Sequence, residues 1–217
     1  GADKNPKDCE GLLGYEFEGA GDGVKATYFN NEDFLGSPKE QVDGNIEFDW
    51  DNEAPTKGIN FENFSIKWTG WLRVPVSGDY TFVTESDDGN ALLVNNQPII
   101  SHYFGVTEKD RIKAKSWLDF VKMNLKKDPH DTKIHRSLQT RALSHPITLE
   151  AGNKYKIEML MFHSVHNKVK DDGRSFARLL WYSNMISEAP IKDEFFFTTN
   201  KVAPLKASGY NDDLMEI

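Results

Sequence analysis

Apolar and polar side chains alternate along residues 65–74, and this period of two limits that stretch to extended structure. Four large apolar residues share one parity: Ile66, Trp68, Leu72 and Val74. Gly70 interrupts the row. Since residues two apart lie on the same face of a sheet, the pattern predicts a half-buried strand. The alternation returns at residues 80–85, which predicts a second strand after a short turn.

Other short apolar runs are separated by turn residues. We predict strands at residues 91–94, 98–100, 155–162 and 176–182, and a hairpin connection at Asn95, Asn96 and Gln97. Many short strands with turns rich in Gly, Asp and Asn are typical of an all-β sandwich or barrel. A chain of 217 residues is long enough to form one such domain.

One segment departs from the strand pattern. Thr107, followed three positions later by Asp110, resembles a helix start. Apolar residues at helical spacing follow, up to Pro129: Trp117, Leu118, Val121 and Leu125. Residues 109–141 contain ten Lys or Arg and four Asp or Glu, so we predict a basic, partly helical insertion over residues 107–145. It is either a decoration packed on the sandwich or a docking surface for an anionic protein partner.

Composition excludes several functions. The net charge of −8 argues against nucleic-acid binding by the domain as a whole. No apolar run approaches the roughly 20 residues needed to cross a bilayer, so we expect no transmembrane segment in this chain. The lone Cys9 cannot form an intrachain disulfide. We find no nucleophile elbow, P-loop or zinc-ribbon spacing, and expect a binding protein rather than an enzyme.

Seven segments occur together in the order and at the spacings of a known family. They are residues 24–36 (VKATYFNNEDFLG), 45–50 (NIEFDW), 64–72 (FSIKWTGWL), 77–82 (SGDYTF), 85–95 (ESDDGNALLVN), 149–155 (LEAGNKY) and 177–182 (ARLLWY). The set resembles the PA14 family of lectin-like domains, first recognised in anthrax protective antigen. The resemblance implies a twisted antiparallel β-sandwich of jelly-roll or barrel type, usually used as a binding module. The predicted boundaries are an N-terminal extension or first strand (1–23), a carbohydrate-binding domain (24–200) and a C-terminal tail (201–217).

Asp87 and Asp88 are adjacent carboxylates in a tight turn before Gly89. In a regular strand their side chains would point to opposite faces, but the resemblance implies a cis peptide between them and converging carboxylates. Converging carboxylates repel unless one is protonated or a cation lies between them. Ca²⁺, which takes about six to eight oxygen ligands, suits the pair, and sugar hydroxyls can complete its coordination. The alternative interpretation is turn chemistry alone.

A second loop, residues 164–175, is expected to provide further oxygens. The resemblance, here to calcium-dependent yeast adhesins, implies that Asn167 binds the metal with Asp87 and Asp88. Asp171 is a further candidate metal ligand, and Asp171 and Asp172 are candidate sugar contacts. Both aspartates are equally explained as turn formers.

Two other groups of residues are open to a catalytic or metal interpretation. Glu47 and Asp49 could mimic a glycosidase carboxylate pair, yet their spacing along one strand equally describes a solvated face. Five histidines lack the helical spacing of a metal motif, and we expect them at the surface: His130, His135, His145, His163 and His166.

The leading hypothesis is a calcium-dependent lectin or adhesin module that binds a cell-surface glycan and is itself secreted or at the cell surface. One alternative is a protein–protein interaction domain of a toxin- or receptor-like assembly, with the 107–145 insertion as the contact. Another is an accessory domain of a glycosidase.

Overall fold

The computed structural model describes residues 21–102, 140–164 and 174–201, and regular structure there is almost entirely β-strand. The strands are β1 (Val24–Phe29), β2 (Lys39–Asp43), β3 (Glu47–Asp51), β4 (Phe64–Arg73), β5 (Gly78–Asp87), β6 (Asn90–Val94), β7 (Gln97–His102), β8 (Thr140–Leu143), β9 (Ile147–Leu149), β10 (Lys154–His163), β11 (Ser175–Ser183), β12 (Ala189–Pro190) and β13 (Phe196–Phe197). One 3-10 turn, Asp193–Phe195, precedes β13. Within these ranges no helix has the length and apolar character needed to span a membrane.

Two antiparallel sheets form a sandwich. The seven-stranded sheet has the order β2-β1-β4-β10-β6-β7, with β13 paired to β4. The six-stranded sheet has the order β12-β11-β5-β8, with β3 paired to β11 and β9 to β5. Side chains of both sheets share one apolar core, where Phe48 of β3 stacks on Trp68 of β4 with ring centroids 6.0 Å apart. The predicted antiparallel β-sandwich is confirmed.

The alternation along β4 builds the centre of the core. Ile66, Trp68 and Leu72 are completely buried. A side chain at Gly70 would crowd the neighbouring strands, since a Cβ there would lie 3.0 Å from the carbonyl oxygen of Phe197 and 3.1 Å from a methyl group of Val24. The interruption of the apolar row is therefore the point where β13 and β1 approach β4.

The hairpin between β6 and β7 has the predicted chemistry. Asn95 and Asn96 both have positive φ, 48° and 64°. Positive φ at both central residues is the mark of a type I′ turn, which matches the twist of antiparallel strands and favours Asn. Gln97 already belongs to β7, where it pairs with Val94.

The predicted insertion ends earlier than residue 145. Thr140–Leu143 form β8, which pairs with β5 from Ser86↔Thr140 to Val83↔Leu143. Arg141, counted with the basic insertion, lies on this strand and forms ion pairs with Glu85 and Glu188. The predicted helix and its apolar residues fall outside the described residues, as do most of the predicted terminal segments.

A buried carboxylate of β2 is held by hydrogen bonds inside the sandwich. Asp43, at the end of β2, is 6% exposed. Its Oδ2 accepts hydrogen bonds from the Tyr28 hydroxyl (2.6 Å) and Trp68 Nε1 (2.8 Å), and its Oδ1 accepts one from Gln41 Nε2 (2.7 Å). Burial and the bond to Asp43 raise the pKa of Tyr28 above its ordinary value, so the phenol stays a hydrogen-bond donor. This cluster ties three strands together beneath the core.

Candidate functional site

The acidic turn connects β5 to β6. Its Asp87–Asp88 peptide is cis, as the resemblance implied. Asp87, Asp88 and His163 each offer one ligand atom, and these three atoms lie within 4.8 Å of one another. The two carboxylates therefore converge instead of pointing to opposite faces, and they are close enough to share one cation.

Strand β10 holds the turn from one side. The Asp88 N–H donates to the carbonyl oxygen of Phe162 (3.0 Å), and the Phe162 N–H donates to the carbonyl oxygen of Gly89 (3.1 Å). The Ser164 N–H donates to Asp88 Oδ2 (2.8 Å). The end of β10 thus fixes both the backbone of the turn and the orientation of the Asp88 carboxylate.

A chain of buried polar side chains supports the turn from below. The Thr84 hydroxyl donates to Asn90 Oδ1 (2.6 Å), Asn90 Nδ2 donates to the Ser86 hydroxyl oxygen (2.7 Å), and the Ser86 hydroxyl donates to the carbonyl oxygen of Asp88 (2.7 Å). All three side chains are completely buried. No sequence motif identifies these three residues. Thr84 and Ser86 do share the parity of the buried Tyr80 and Phe82, and polar residues on an apolar parity are a signal that could have found two of them.

His163 is the third member of the cluster, and the expected surface position is wrong for it. The side chain is 0% exposed, and its ring packs against Phe64 with centroids 5.5 Å apart. Nδ1 lies 3.8 Å from Asp88 Oδ2. Among the described residues, neither ring nitrogen of His163 has a hydrogen-bond partner. His145 is exposed, as expected, and the other three histidines lie outside the described part of the chain.

A further carboxylate comes from the loop between β1 and β2. The Ser164 hydroxyl donates to Glu32 Oε1 (2.7 Å), so Ser164 contacts Asp88 through its backbone and Glu32 through its side chain. No local pattern distinguishes Glu32 from the other acidic residues of the chain. Only the arrangement of strands brings it to this end of the sandwich.

The remaining predicted site residues, Asn167, Asp171 and Asp172, lie outside the described ranges. Both ends of their segment are nevertheless next to the acidic turn: Ser164 is bonded to Asp88, and Phe176 is the register partner of Asp87. The segment 103–139 has its ends in the same place, because His102 pairs with Asn90 and Thr140 pairs with Ser86.

Glu47 and Asp49 lie on the outer face of β3. Asp49 Oδ2 is 2.8 Å from an Arg174 nitrogen and 3.4 Å from an Arg178 nitrogen. The hydrogen bond from Arg174 is the main cause that lowers the pKa of Asp49, so this carboxylate stays ionised. An ionised, arginine-paired carboxylate on a solvated face does not suit the general acid of a glycosidase.

The two antiparallel sheets and the cis Asp87–Asp88 turn between β5 and β6 define an antiparallel β-sandwich domain with an acidic turn at one end. Residues 21–194 match the family model described as the PA14 domain, and the chain belongs to this family.

The chain is similar both to anti-sigma factor proteins and to a domain of an adhesin. The chain is 28% identical over 188 residues to the anti-sigma-I factor RsgI3 of Acetivibrio thermocellus, a match that covers 87% of this chain and 23% of that protein. Among solved structures, an anti-sigma factor domain-containing protein from Clostridium clariflavum aligns with a TM-score of 0.62 and 24% identity over 86% of this chain and 51% of that one. The PA14 sugar-binding domain from an RTX adhesin aligns with a TM-score of 0.52 and 13% identity over 83% of this chain and 100% of that one. The chain therefore spans about a quarter of its curated relative and about half of the first solved structure.

Proposed function

We propose that this domain binds glycans through a Ca²⁺ ion held by Asp87 and Asp88, as a lectin-like module of a secreted or cell-surface protein. The observation that carries the proposal is the convergence of the two carboxylates with ligand atoms within 4.8 Å. Two ionised carboxylates at this separation repel each other, and a divalent cation between them offsets the repulsion because it attracts both.

The oxygen donors fit calcium. Two ligands of one Ca²⁺ ion, each at roughly 2.3–2.6 Å, are separated by at most about 5 Å, and the Asp87 and Asp88 ligand atoms meet this limit. Calcium needs about six to eight oxygens, so two carboxylates leave room for other ligands. Asn167 and Asp171 are the proposed protein donors. Asn167 follows Ser164 by three residues, which span at most about 11 Å, and Ser164 is bonded to Asp88.

Vicinal sugar hydroxyls would complete the calcium coordination. The hydroxyl pair replaces water, and Asp172 is the proposed hydrogen-bond acceptor beside it. This chemistry recognises a diol and breaks no bond, so the proposal is binding without catalysis. The RTX adhesin domain of similar fold is a PA14 sugar-binding domain, which supports the proposal by analogy of fold.

The anti-sigma factor relatives favour a second proposal, which concerns the parent protein. The relative of 28% identity matches 87% of this chain, more than the adhesin domain does. We infer that the domain serves as the ligand-recognising part of a longer regulatory protein. In that setting the part of the predicted 107–145 insertion that precedes β8 would contact another protein. Glycan binding would then be the signal that the regulatory protein detects, and adhesion would not be the function.

A glycan array with and without chelator tests the central proposal. We expect spots that bind the protein in millimolar calcium and lose it when a chelator is added, because the sugar hydroxyls are held by the ion. Signals that do not change with chelator would place sugar recognition elsewhere. An array without signal in calcium would favour a protein ligand.

Calcium should also stabilise the fold. An ion present at a hundredfold excess over its Kd adds about 2.7 kcal/mol to the free energy of unfolding by mass action. In a domain of this size the melting temperature should rise by about 5–10 °C. Magnesium at the same concentration is the control, because its smaller, octahedral shell does not suit this open oxygen site. Melting curves that coincide in calcium and in chelator would contradict the calcium site.

A further inference from the structure

We propose that Asp87, Asp88 and His163 also form a zinc site, with the His163 imidazole as a direct ligand. His163 has no place in the calcium proposal, because calcium prefers oxygen ligands and imidazole nitrogen suits zinc and other transition metals. The proposal goes beyond glycan binding and can be tested with zinc alone.

The state of His163 is the first argument. A fully buried polar group without a hydrogen bond is destabilising, and both ring nitrogens of His163 lack a partner among the described residues. The ring is held by its contact with Phe64, and Nδ1 is on the side of the Asp88 carboxylate. A metal ion between His163 and the two aspartates would provide a partner for Nδ1.

The distances between the three donor atoms are close to those of a zinc site. Tetrahedral zinc, with ligands at roughly 2.0–2.2 Å, places neighbouring donor atoms about 3.4 Å apart. Nδ1 of His163 and Oδ2 of Asp88 are 3.8 Å apart, and the three donor atoms of the cluster lie within 4.8 Å. Zinc binding would therefore bring the donor atoms closer by up to about 1.4 Å through rotation of the aspartate side chains. Zinc sites with three protein ligands keep a fourth position open, which water or an external ligand fills.

The charges and the surroundings also suit zinc. Two carboxylates neutralise the ion, which lowers the cost of holding it in a mostly buried place. The Ser164 N–H, which donates to Asp88 Oδ2, orients one ligand in the way that outer hydrogen bonds orient metal ligands. The Asp88 side chain is 19% exposed and gives the ion a path from solvent.

Zinc and calcium would use the same two carboxylates, so they compete, and only zinc uses His163. Zinc would then displace calcium and act on the same turn that the calcium proposal assigns to sugar. The two ions are distinguished by measuring zinc binding in the absence of both calcium and glycan.

The test is titration calorimetry of zinc into metal-free protein. We expect one zinc ion per chain in the wild type and an affinity at least about 100-fold lower in His163→Gln, which removes the nitrogen ligand. His145→Gln is the matched control, because it makes the same change at an exposed histidine, and it should bind zinc as the wild type does.

X-ray absorption of the zinc-loaded wild type is the second measurement, and it decides the matter if His163→Gln does not fold. We expect the spectrum of the wild type to show scattering from an imidazole ligand of the zinc ion. In a folded His163→Gln protein this imidazole contribution should be lost or altered. An all-oxygen shell, an equal affinity in His163→Gln and wild type, or no zinc binding by the wild type would each overturn it. None of these outcomes bears on the calcium proposal, which is measured with calcium.

Discussion

Asp88→Asn is expected to lower calcium-dependent glycan binding by at least about 100-fold, since the charge count of the ligands sets calcium affinity over several decades. The asparagine removes one negative charge and one hard oxygen ligand. Its remaining oxygen can still accept the Ser164 N–H, which lies 2.8 Å from Asp88 Oδ2. In the metal-free protein the loss of a like charge beside Asp87 relieves repulsion, so the melting temperature in chelator should not fall.

Asp79→Asn is the control for this experiment. Asp79 is exposed near the other end of β5, where its carboxylate accepts a hydrogen bond from Thr148 (2.6 Å). The change in charge is the same, but the residue is far along the strand from the turn, and glycan binding should stay at the wild-type level. Asp87→Asn should behave like Asp88→Asn. If both aspartate variants of the turn bind glycan normally, the sugar site is elsewhere in the domain.

Asp43→Ala is expected to lower the free energy of unfolding by about 3–5 kcal/mol, the largest stability effect that we predict. The substitution leaves the Tyr28 hydroxyl and Trp68 Nε1 buried without their acceptor, and Gln41 also loses a bond. Asp43→Asn keeps one oxygen for Tyr28 and Trp68 and should cost less, about 1–2 kcal/mol. Denaturant unfolding in the presence of chelator measures both changes without a contribution from calcium.

Asp33→Ala controls for the loss of a carboxylate as such. Asp33 is exposed in the loop after β1, and its replacement should change stability by no more than about 0.5 kcal/mol. A loss below about 1 kcal/mol for Asp43→Ala would show that water reaches the Tyr28 and Trp68 donors when the carboxylate is removed.

The strands that could be predicted are those in which apolar and polar side chains alternate along the strand itself. Residues 65–73, 80–85 and 176–182 all lie on long strands of the sandwich, because burial of one face selects a period of two. The order of strands in the sheets has no such local signal. Strand β4 pairs with β10, far away in the chain, and no pattern within either strand specifies that partner. Strand β8 lies within the predicted basic insertion, because its four residues are too few to show an alternation of apolar and polar side chains.

The candidate site also contains both residues that the sequence identifies and residues that only the fold brings together. Asp87 and Asp88 are contiguous, so a motif in the sequence is enough to find them. His163, Ser164 and Glu32 join them only through strand pairing, and a search for histidine spacing along one helix could not detect His163. The structure describes neither the loop with Asn167, Asp171 and Asp172 nor their roles, and these residues stay predictions.

The positions at which residues 103–139 and 165–173 join the sandwich affect how this domain can diversify. Residues 103–139 and 165–173 both begin and end on strands that pair beside the acidic turn. The described strands at both ends of each segment are held by their own hydrogen-bond ladders, and doubling the length of a connection between two fixed ends costs only about 0.6 kcal/mol. Natural drift or a laboratory library can therefore rewrite the surface around Asp87 and Asp88 while the scaffold stays the same. Chimaeras that exchange only these segments between homologues should keep one architecture and differ in what they recognise.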